Sequence, residues 1–179
     1  MRLEFMERVK REDGSCYIEV PNTCQRLHVV THYKHLGSVV QGCNSNYLEA
    51  RLRARNAMEA YVPLCIKIFG NESYSFNLKE LFGRSLVLSR LLFHTHLRVF
   101  TGRELKIINA AYMRLVRRLA DKVRFESGSG TDIAARMSIA WPSIDCLIMR
   151  QRLTYLARLV CGDSTALLAI LQQEVLHSR

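Results

Sequence analysis

The chain has 179 residues, of which 49% are hydrophobic, and a formal net charge of +10. This length fits one domain, or one small core with a helical extension, and the composition excludes an intrinsically disordered chain. The basic surplus lies in the middle, because residues 51–124 carry 15 Lys and Arg against 5 Asp and Glu while both flanks are balanced. Basic charge confined to one segment predicts a surface that faces a polyanion.

No stretch of the sequence approaches the roughly 18 apolar residues that a membrane span needs, so we expect no membrane partner. Glu4, Glu7 and Arg8 interrupt the apolar run that a signal peptide would require. The six cysteines are scattered without the spacing of a disulfide framework. We therefore expect reduced thiols in an intracellular protein, with the nucleus among the compartments compatible with its charge.

The N-terminal part predicts β-structure. Residues 16–20 and 26–33 are rich in β-branched and aromatic side chains, and residues 21–23 between them (Pro-Asn-Thr) are typical of a turn. These features predict a β-hairpin whose second strand ends or bends at Gly37. A zinc site built from its Cys and His residues is disfavoured, because their spacing is not that of a zinc finger. His28 and His32, on one strand, would lie about 13 Å apart.

Two helices are predicted next. Asn46 and Glu49 have the spacing of a capping box, which predicts a helix to about residue 61 that Pro63 ends or kinks. A second helix is predicted from about residue 76 to 100. It contains Gly83, which costs about 1 kcal/mol relative to alanine in a helix interior.

The third helix has the clearest pattern. Thr101 and Glu104 form another capping box at its start. At about 100° per residue, its apolar side chains fall on one arc and its basic side chains on the opposite arc. The apolar arc comprises Leu105, Ile108, Tyr112, Leu115, Val116, Leu119 and Val123, and the basic arc comprises Arg103, Lys106, Arg114, Arg117 and Arg118.

The C-terminal part predicts further helices after a flexible break at residues 127–130. A short helix over residues 131–139 would be capped by Thr131 or Asp132, and Pro142 is placed for the first turn of a helix that runs to about Val160. A last short helix would begin at residues 162–164. The predicted fold class is mainly α, with an N-terminal β-hairpin (1–42), basic helices (43–125) and a C-terminal helical tail (131–179).

Three segments occur in an order that a known family shares. Residues 33–38 read Tyr-Lys-His-Leu-Gly-Ser, residues 86–93 read Leu-Val-Leu-Ser-Arg-Leu-Leu-Phe, and residues 110–119 form an arginine-rich helix. By themselves, residues 33–38 are a strand that ends at a glycine. The ordered set resembles the C-terminal part of non-LTR (LINE-type) retrotransposon reverse transcriptases, in which an aromatic-Lys-x-Leu-Gly-Ser element lies on the hairpin that holds the primer end. The family's Leu-Leu-Tyr-Gly-x-Glu-x-Trp pattern is altered here at residues 93–98.

The resemblance implies that the chain corresponds to the end of the palm, the thumb and a post-thumb helical tail. The family's catalytic aspartates precede the Leu-Gly element, where this chain has only Asp13, and no Asp-Asp pair occurs anywhere in it. Polymerisation needs carboxylates that hold two metal ions. We therefore expect no catalytic residue, metal or cofactor in this chain, and any polymerase domain would come from another chain.

The resemblance and the charge together predict non-catalytic binding of an RNA or DNA duplex, or of structured RNA. Such binding would depend on salt and only weakly on base sequence. Two alternatives stay open, a helical module that docks on a protein and a decayed retroelement remnant without activity. The predicted site residues are Tyr33, Lys34, Leu36 and Gly37 at the primer-side turn, and Arg103, Lys106, Arg114, Arg117 and Arg118 on phosphates.

Overall fold

A computed structural model of the chain describes residues 10–12, 15–19, 25–42, 45–120 and 131–161. These residues form short antiparallel strands followed by helices, which confirms the predicted mainly α fold class with β-structure at the N-terminal side. The chain divides into two compact units, Met1–Glu49 and Ala50–Arg179. The boundaries predicted near residues 42 and 131 stay a prediction.

The N-terminal unit holds two small sheets instead of one hairpin. The predicted pairing of the first two stretches is confirmed, because Cys16 lies opposite Val29 in antiparallel register. The prediction of one strand over residues 26–33 is wrong, since the chain leaves the first sheet after Val29 and starts a new strand at His32. The predicted turn at residues 21–23 lies outside the described residues. The first sheet has the order β1 (Lys10–Glu12), β2 (Ser15–Glu19) and β3 (Arg26–Val29), and the second pairs β4 (His32–His35) with β5 (Ser38–Gln41).

Helix α1 (Tyr47–Leu64) ends one residue after Pro63, as predicted for this proline, although its end lies three residues beyond the predicted residue 61. The chain continues as a π-helical segment, Cys65–Phe69. Proline removes one backbone donor and crowds the carbonyl four residues before it. In the π turn that follows, each carbonyl accepts from the N–H five residues later instead of four. The N–H of Gly70, for example, donates to the Cys65 carbonyl oxygen at 2.9 Å.

The predicted second helix begins where expected but ends early. Ser75 caps its start by accepting from the N–H of Leu78 at 3.4 Å. The helix cannot extend to residue 100 because His94 has a positive φ of 58°, which lies outside the helical region. A 3₁₀ turn (Thr95–Leu97) follows. The helical elements are α2 (Phe76–Phe82), a second π-helical segment (Gly83–Leu88) and α3 (Ser89–Leu91).

Helix α4 (Gly102–Ala120) is the centre of the C-terminal unit's core. Its capping box is confirmed, because the N–H of Thr101 donates to Glu104 Oε2 at 2.7 Å and the N–H of Glu104 donates to Thr101 Oγ1 at 3.4 Å. The predicted apolar arc is confirmed over the described residues, with Leu105 only partly covered and Val123 outside them. Five members of that arc are buried: Ile108, Tyr112, Leu115, Val116 and Leu119.

Gly83 packs directly against α4. The glycine is buried, and a Cβ atom added there would lie 3.3 Å from Leu115 Cδ1 and 3.4 Å from Leu119 Cδ1. The second π-helical segment and α4 therefore approach more closely than alanine would allow without displacing these two leucines. The glycine that the sequence marks as unfavourable in a helix thus lies at a close contact between two helical elements.

Two helices complete the described chain, α5 (Asp132–Ser138) and α6 (Ile144–Cys161). Thr131 is the cap of α5, since its hydroxyl accepts from the N–H of Ala134 at 3.3 Å. At α6, Ser143 accepts from the N–H of Cys146 at 3.3 Å. Pro142 therefore precedes the cap and does not occupy the first turn as predicted. The helix predicted after residue 162 lies outside the described residues.

A polar cluster at the edge of the core joins α2 to the segment before α6. The Trp141 indole N–H donates to Glu80 Oε1 at 2.8 Å. Arg84 lies 2.7 Å from the same carboxylate oxygen and covers the Trp141 ring at 4.9 Å. The hydrogen bond from Trp141, aided by Arg84, lowers the pKa of Glu80 below its ordinary value of 4.5 despite the opposing effect of burial.

Replacing Glu80 with glutamine should make the free energy of unfolding depend less on pH in the acid range. Because the folded pKa is lowered, the stabilisation from this carboxylate is present above pH 4.5 and lost as the pH falls through the folded pKa. Urea unfolding over a series of acid pH values should show a steeper loss of free energy of unfolding in the parent than in Glu80→Gln. Parallel profiles would contradict this role for Glu80.

Candidate nucleic-acid interface

Four basic side chains form a stripe along the exposed face of α4. Arg103, Lys106, Arg114 and Arg117 are all exposed, with the exposed Ala110 at the centre of the row. At helical spacing they fall within an arc of about 80° and extend over about 21 Å. We call these four residues the basic stripe. It is the largest part of the predicted phosphate-contacting set.

Acidic partners touch only one end of the basic stripe within the described ranges. Arg117 pairs with Asp132 of α5, and both side chains are largely exposed. The pair has no signal in the sequence, because the acid lies beyond the predicted flexible break and reaches α4 only by tertiary packing. Such an exposed pair contributes about 0–1 kcal/mol and can exchange for a phosphate. No described acidic side chain forms an ion pair with Arg103, Lys106 or Arg114.

Arg118 lies apart from the basic stripe. Its side chain is half-buried, and Nη2 lies 3.5 Å from the Cys65 carbonyl oxygen at the first π-helical segment. The same Nη2 would lie 2.8 Å from a Cβ atom at Gly70, so this glycine leaves room for the guanidinium. Arg118 therefore packs between two elements of its own unit, and its predicted phosphate contact would require it to leave this position.

Tyr61 lies beside this arginine and contacts Cys65, whose thiol donates to the Tyr61 hydroxyl at 3.3 Å. Burial, with a smaller contribution from Cys65, raises the pKa of Tyr61 to about 12, and the positive charges of Arg118 and Arg114 oppose the rise. Tyr61 is therefore a neutral phenol at physiological pH. It presents no negative charge to the neighbouring arginines.

The other predicted site residues lie on the β4–β5 hairpin of the N-terminal unit, with Tyr33 and Lys34 on β4, where successive side chains point to opposite faces. His35 lies opposite Ser38, so Leu36 and Gly37 are the two residues of a tight turn. Their φ angles are 46° and 80°, as a type I′ turn requires. Gly37 therefore turns the chain into β5, which corrects its predicted role as the end of a longer strand. Tyr33 is exposed, and Leu36 is 77% exposed with a positive φ that is unusual for leucine.

Glu49 anchors this hairpin from the start of α1. The Ser38 hydroxyl donates to Glu49 Oε1 at 2.9 Å, and the N–H of Val39 donates to Oε2 at 2.6 Å. Glu49 is only 1% exposed, so these bonds satisfy a buried carboxylate. The sequence predicts Glu49 as a capping residue, which stays a prediction, and gives no signal of its bonds to the hairpin. The Leu-Gly-Ser turn is thus held in place through its serine.

The described histidines and cysteines do not form a metal centre. No group of three or more His, Cys, Asp or Glu side chains that could hold a metal ion occurs in the part of the chain that the structure describes. His28 and His32, predicted on one strand, lie in different sheets. In the same described residues, no helix combines the length and apolar character needed to cross a membrane.

Comparison with known proteins gives no relative for this chain. No protein-family model, curated protein or solved structure matches it. The resemblance to retroelement reverse transcriptases therefore rests on the three sequence segments alone.

Proposed function

We propose that this chain binds a nucleic-acid duplex, or structured RNA, through the basic stripe of α4 and performs no catalysis alone. The observation that carries the proposal is the row of Arg103, Lys106 and Arg114, which are exposed on one face and not paired with described acids. A stripe of about 21 Å matches the rise of about six base pairs at 3.4 Å each. Its contacts would be to phosphates and would carry little sequence preference.

Two backbone features support a relation to the thumb region of a retroelement reverse transcriptase. His94 stands where the family pattern has glycine, and its φ of 58° lies in the region that glycine favours. The Leu36-Gly37 turn likewise places its glycine at a φ of 80°. In both places the backbone needs the conformation that the family's residue would supply most easily. Nuclear localisation belongs to the same proposal.

Exposed apolar side chains on β3, on β4 and in the connections that follow them favour a protein partner as a second proposal. Under the reverse-transcriptase resemblance, this partner is the remainder of a polymerase supplied by another chain. Association through such a surface would depend on buried apolar area and only weakly on salt. The exposed residues are Leu27, Val29, Val30, Tyr33 and Leu36.

Fluorescence anisotropy with a labelled RNA–DNA primer–template duplex tests the proposed function. For the unmodified chain we expect the logarithm of the association constant to fall linearly with the logarithm of salt concentration. The slope should be about −3 to −4 for three to four phosphate contacts. Affinity should vary little with duplex sequence. Absence of binding at low salt would contradict the proposal and leave the protein-docking or remnant alternatives.

A further inference from the structure

A groove in the C-terminal unit lies between α6 and the segment that runs from the second π-helical segment to the 3₁₀ turn. Its volume is about 420 Å³, within the range typical of ligand sites. Leu88, Leu92 and Leu147 are buried and form an apolar floor. No residue of α4 lines the groove, so it does not include the basic stripe. We call it the arginine groove.

The rim of the arginine groove is positively charged. Arg84, Arg150 and Arg158 line it, and among the residues that the structure describes no acidic side chain does. Arg84 is fixed in place by Glu80 and by the Trp141 ring, which leaves it partly neutralised. Arg150 and Arg158 are exposed and form no ion pair with any described acid. They lie eight residues apart on α6, with Thr154 midway between them, so two guanidinium groups and a hydroxyl follow one row of the helix.

Aromatic rings lie at one end of the groove. The rings of His96 and Tyr155 line it, with centroids 5.0 Å apart. His94 stacks on Phe93 at 3.9 Å and meets His96 edge-on at 6.3 Å. Burial, and then the charge of His94, lower the pKa of His96, so its imidazole is neutral at physiological pH. A neutral ring beside Tyr155 offers a stacking surface for a planar group.

The two walls of the groove are tied together. Arg152 Nη2 of α6 donates to the Arg98 carbonyl oxygen at 2.6 Å. The buried Thr95 hydroxyl lies 3.1 Å from Oε1 of Gln151, which itself lines the groove. These contacts hold α6 against the 3₁₀ turn without using Arg150 or Arg158. A site held by its own framework loses less entropy when it binds a ligand.

We propose that the arginine groove binds one nucleotide unit of a single-stranded nucleic acid, with its phosphate on Arg150 and Arg158 and its base against His96 and Tyr155. A guanidinium rim, an apolar floor and an aromatic end are the elements that single-strand sites combine. An acidic peptide would satisfy the arginines but would leave the aromatic end without a planar partner. The site shares a nucleic-acid partner with the proposed function but uses different residues.

The test measures binding of a labelled oligothymidylate to the full chain, with the RNA–DNA duplex titrated in parallel. The variant Arg150→Gln/Arg158→Gln should weaken single-strand binding roughly tenfold or more and reduce the salt slope by about 0.7, because the contact with one phosphate is lost. Tyr155→Ala should weaken it by a factor of roughly five or more through lost stacking. Duplex binding should stay unchanged in both. Arg90→Gln is the matched control, since Arg90 is exposed on α3 and does not line the groove.

The outcomes separate this inference from the proposed function. Single-strand affinity that is unchanged in the double arginine variant, or equally reduced in Arg90→Gln, would overturn the groove site. So would an acidic peptide or inorganic phosphate that competes as well as thymidine monophosphate. If the unmodified chain binds the oligothymidylate but not the duplex, and the double arginine variant weakens the single-strand binding, the basic stripe alone is refuted. The variant Arg150→Lys/Arg158→Lys keeps the charge, so it should bind the single strand more tightly than the double glutamine variant. Such a recovery would show that the loss in the glutamine variant comes from removed charge and not from misfolding.

Discussion

Reversing the charge at Lys106 and Arg114 is expected to weaken duplex binding roughly tenfold or more and to reduce the salt slope by about two. Both side chains are exposed on the basic stripe and form no ion pair with described acids, so the change should leave the fold intact. The loss should be similar for every duplex sequence, because phosphates carry no sequence information. Anisotropy titrations of Lys106→Glu/Arg114→Glu across salt concentrations measure both quantities.

Adding a positive charge to the basic stripe should have the opposite effect and strengthen duplex binding. Ala110 is exposed at the centre of the basic stripe, so Ala110→Lys should tighten duplex binding and increase the salt slope by about 0.9. Arg90→Glu is the control for the loss variant, because it reverses a charge on α3 away from the stripe. An equal loss in this control would show that net charge, and not the stripe, determines binding.

Replacing Tyr112 with alanine is expected to lower the free energy of unfolding by about 3–5 kcal/mol. Tyr112 is 0% exposed, and its ring stacks against Trp141 with centroids 6.1 Å apart. Its hydroxyl donates to the Pro142 carbonyl oxygen at 2.5 Å, so one side chain joins α4 to the segment before α6. Urea unfolding followed by circular dichroism measures the loss.

The matched variant Tyr112→Phe keeps the ring and removes the hydroxyl. It should cost about 1 kcal/mol, the usual contribution of one hydrogen bond. Burial raises the pKa of Tyr112 to about 12, so no titration of this group should alter stability near neutral pH. A cost for Tyr112→Phe as large as that for Tyr112→Ala would contradict packing as the main contribution.

Helix α4 could be predicted from the sequence because its signals are local. The capping box at Thr101 and Glu104 and the 3.6-residue period both act within the helix, and the structure confirms them. Residues 26–33 are different, since they are rich in β-branched and aromatic side chains and no glycine or proline marks a break. The division between Val29 and His32 depends on which partner strand each half pairs with, and this is a tertiary choice.

The early end of the second helix also lacks a local signal. The leucine-rich run to Leu92 favours a helix, and the break comes at His94, where a non-glycine residue takes a positive φ. The second π-helical segment likewise depends on tertiary packing, since it places Gly83 against α4. The first differs, because it follows Pro63, which is a local signal in the sequence.

The candidate site could be predicted only where its residues share one helix. The basic stripe follows from spacing within α4, whereas the pairing of Arg117 with Asp132 and the burial of Arg118 depend on α5 and on the first π-helical segment. The arginine groove gave no sequence signal at all. Arg84 and Arg150 are distant in sequence, and only packing of α6 places them on one rim.

The central claim is that the basic stripe of α4 lies against the duplex. A photo-crosslinking side chain at position 110, in the centre of the stripe, tests this directly, with the exposed Leu81 of α2 as the control position. We expect crosslinks to the duplex from position 110 that unlabelled duplex abolishes, and few from position 81. Crosslinks of equal yield from both positions, or none from position 110 while the duplex is bound, would contradict the proposed interface.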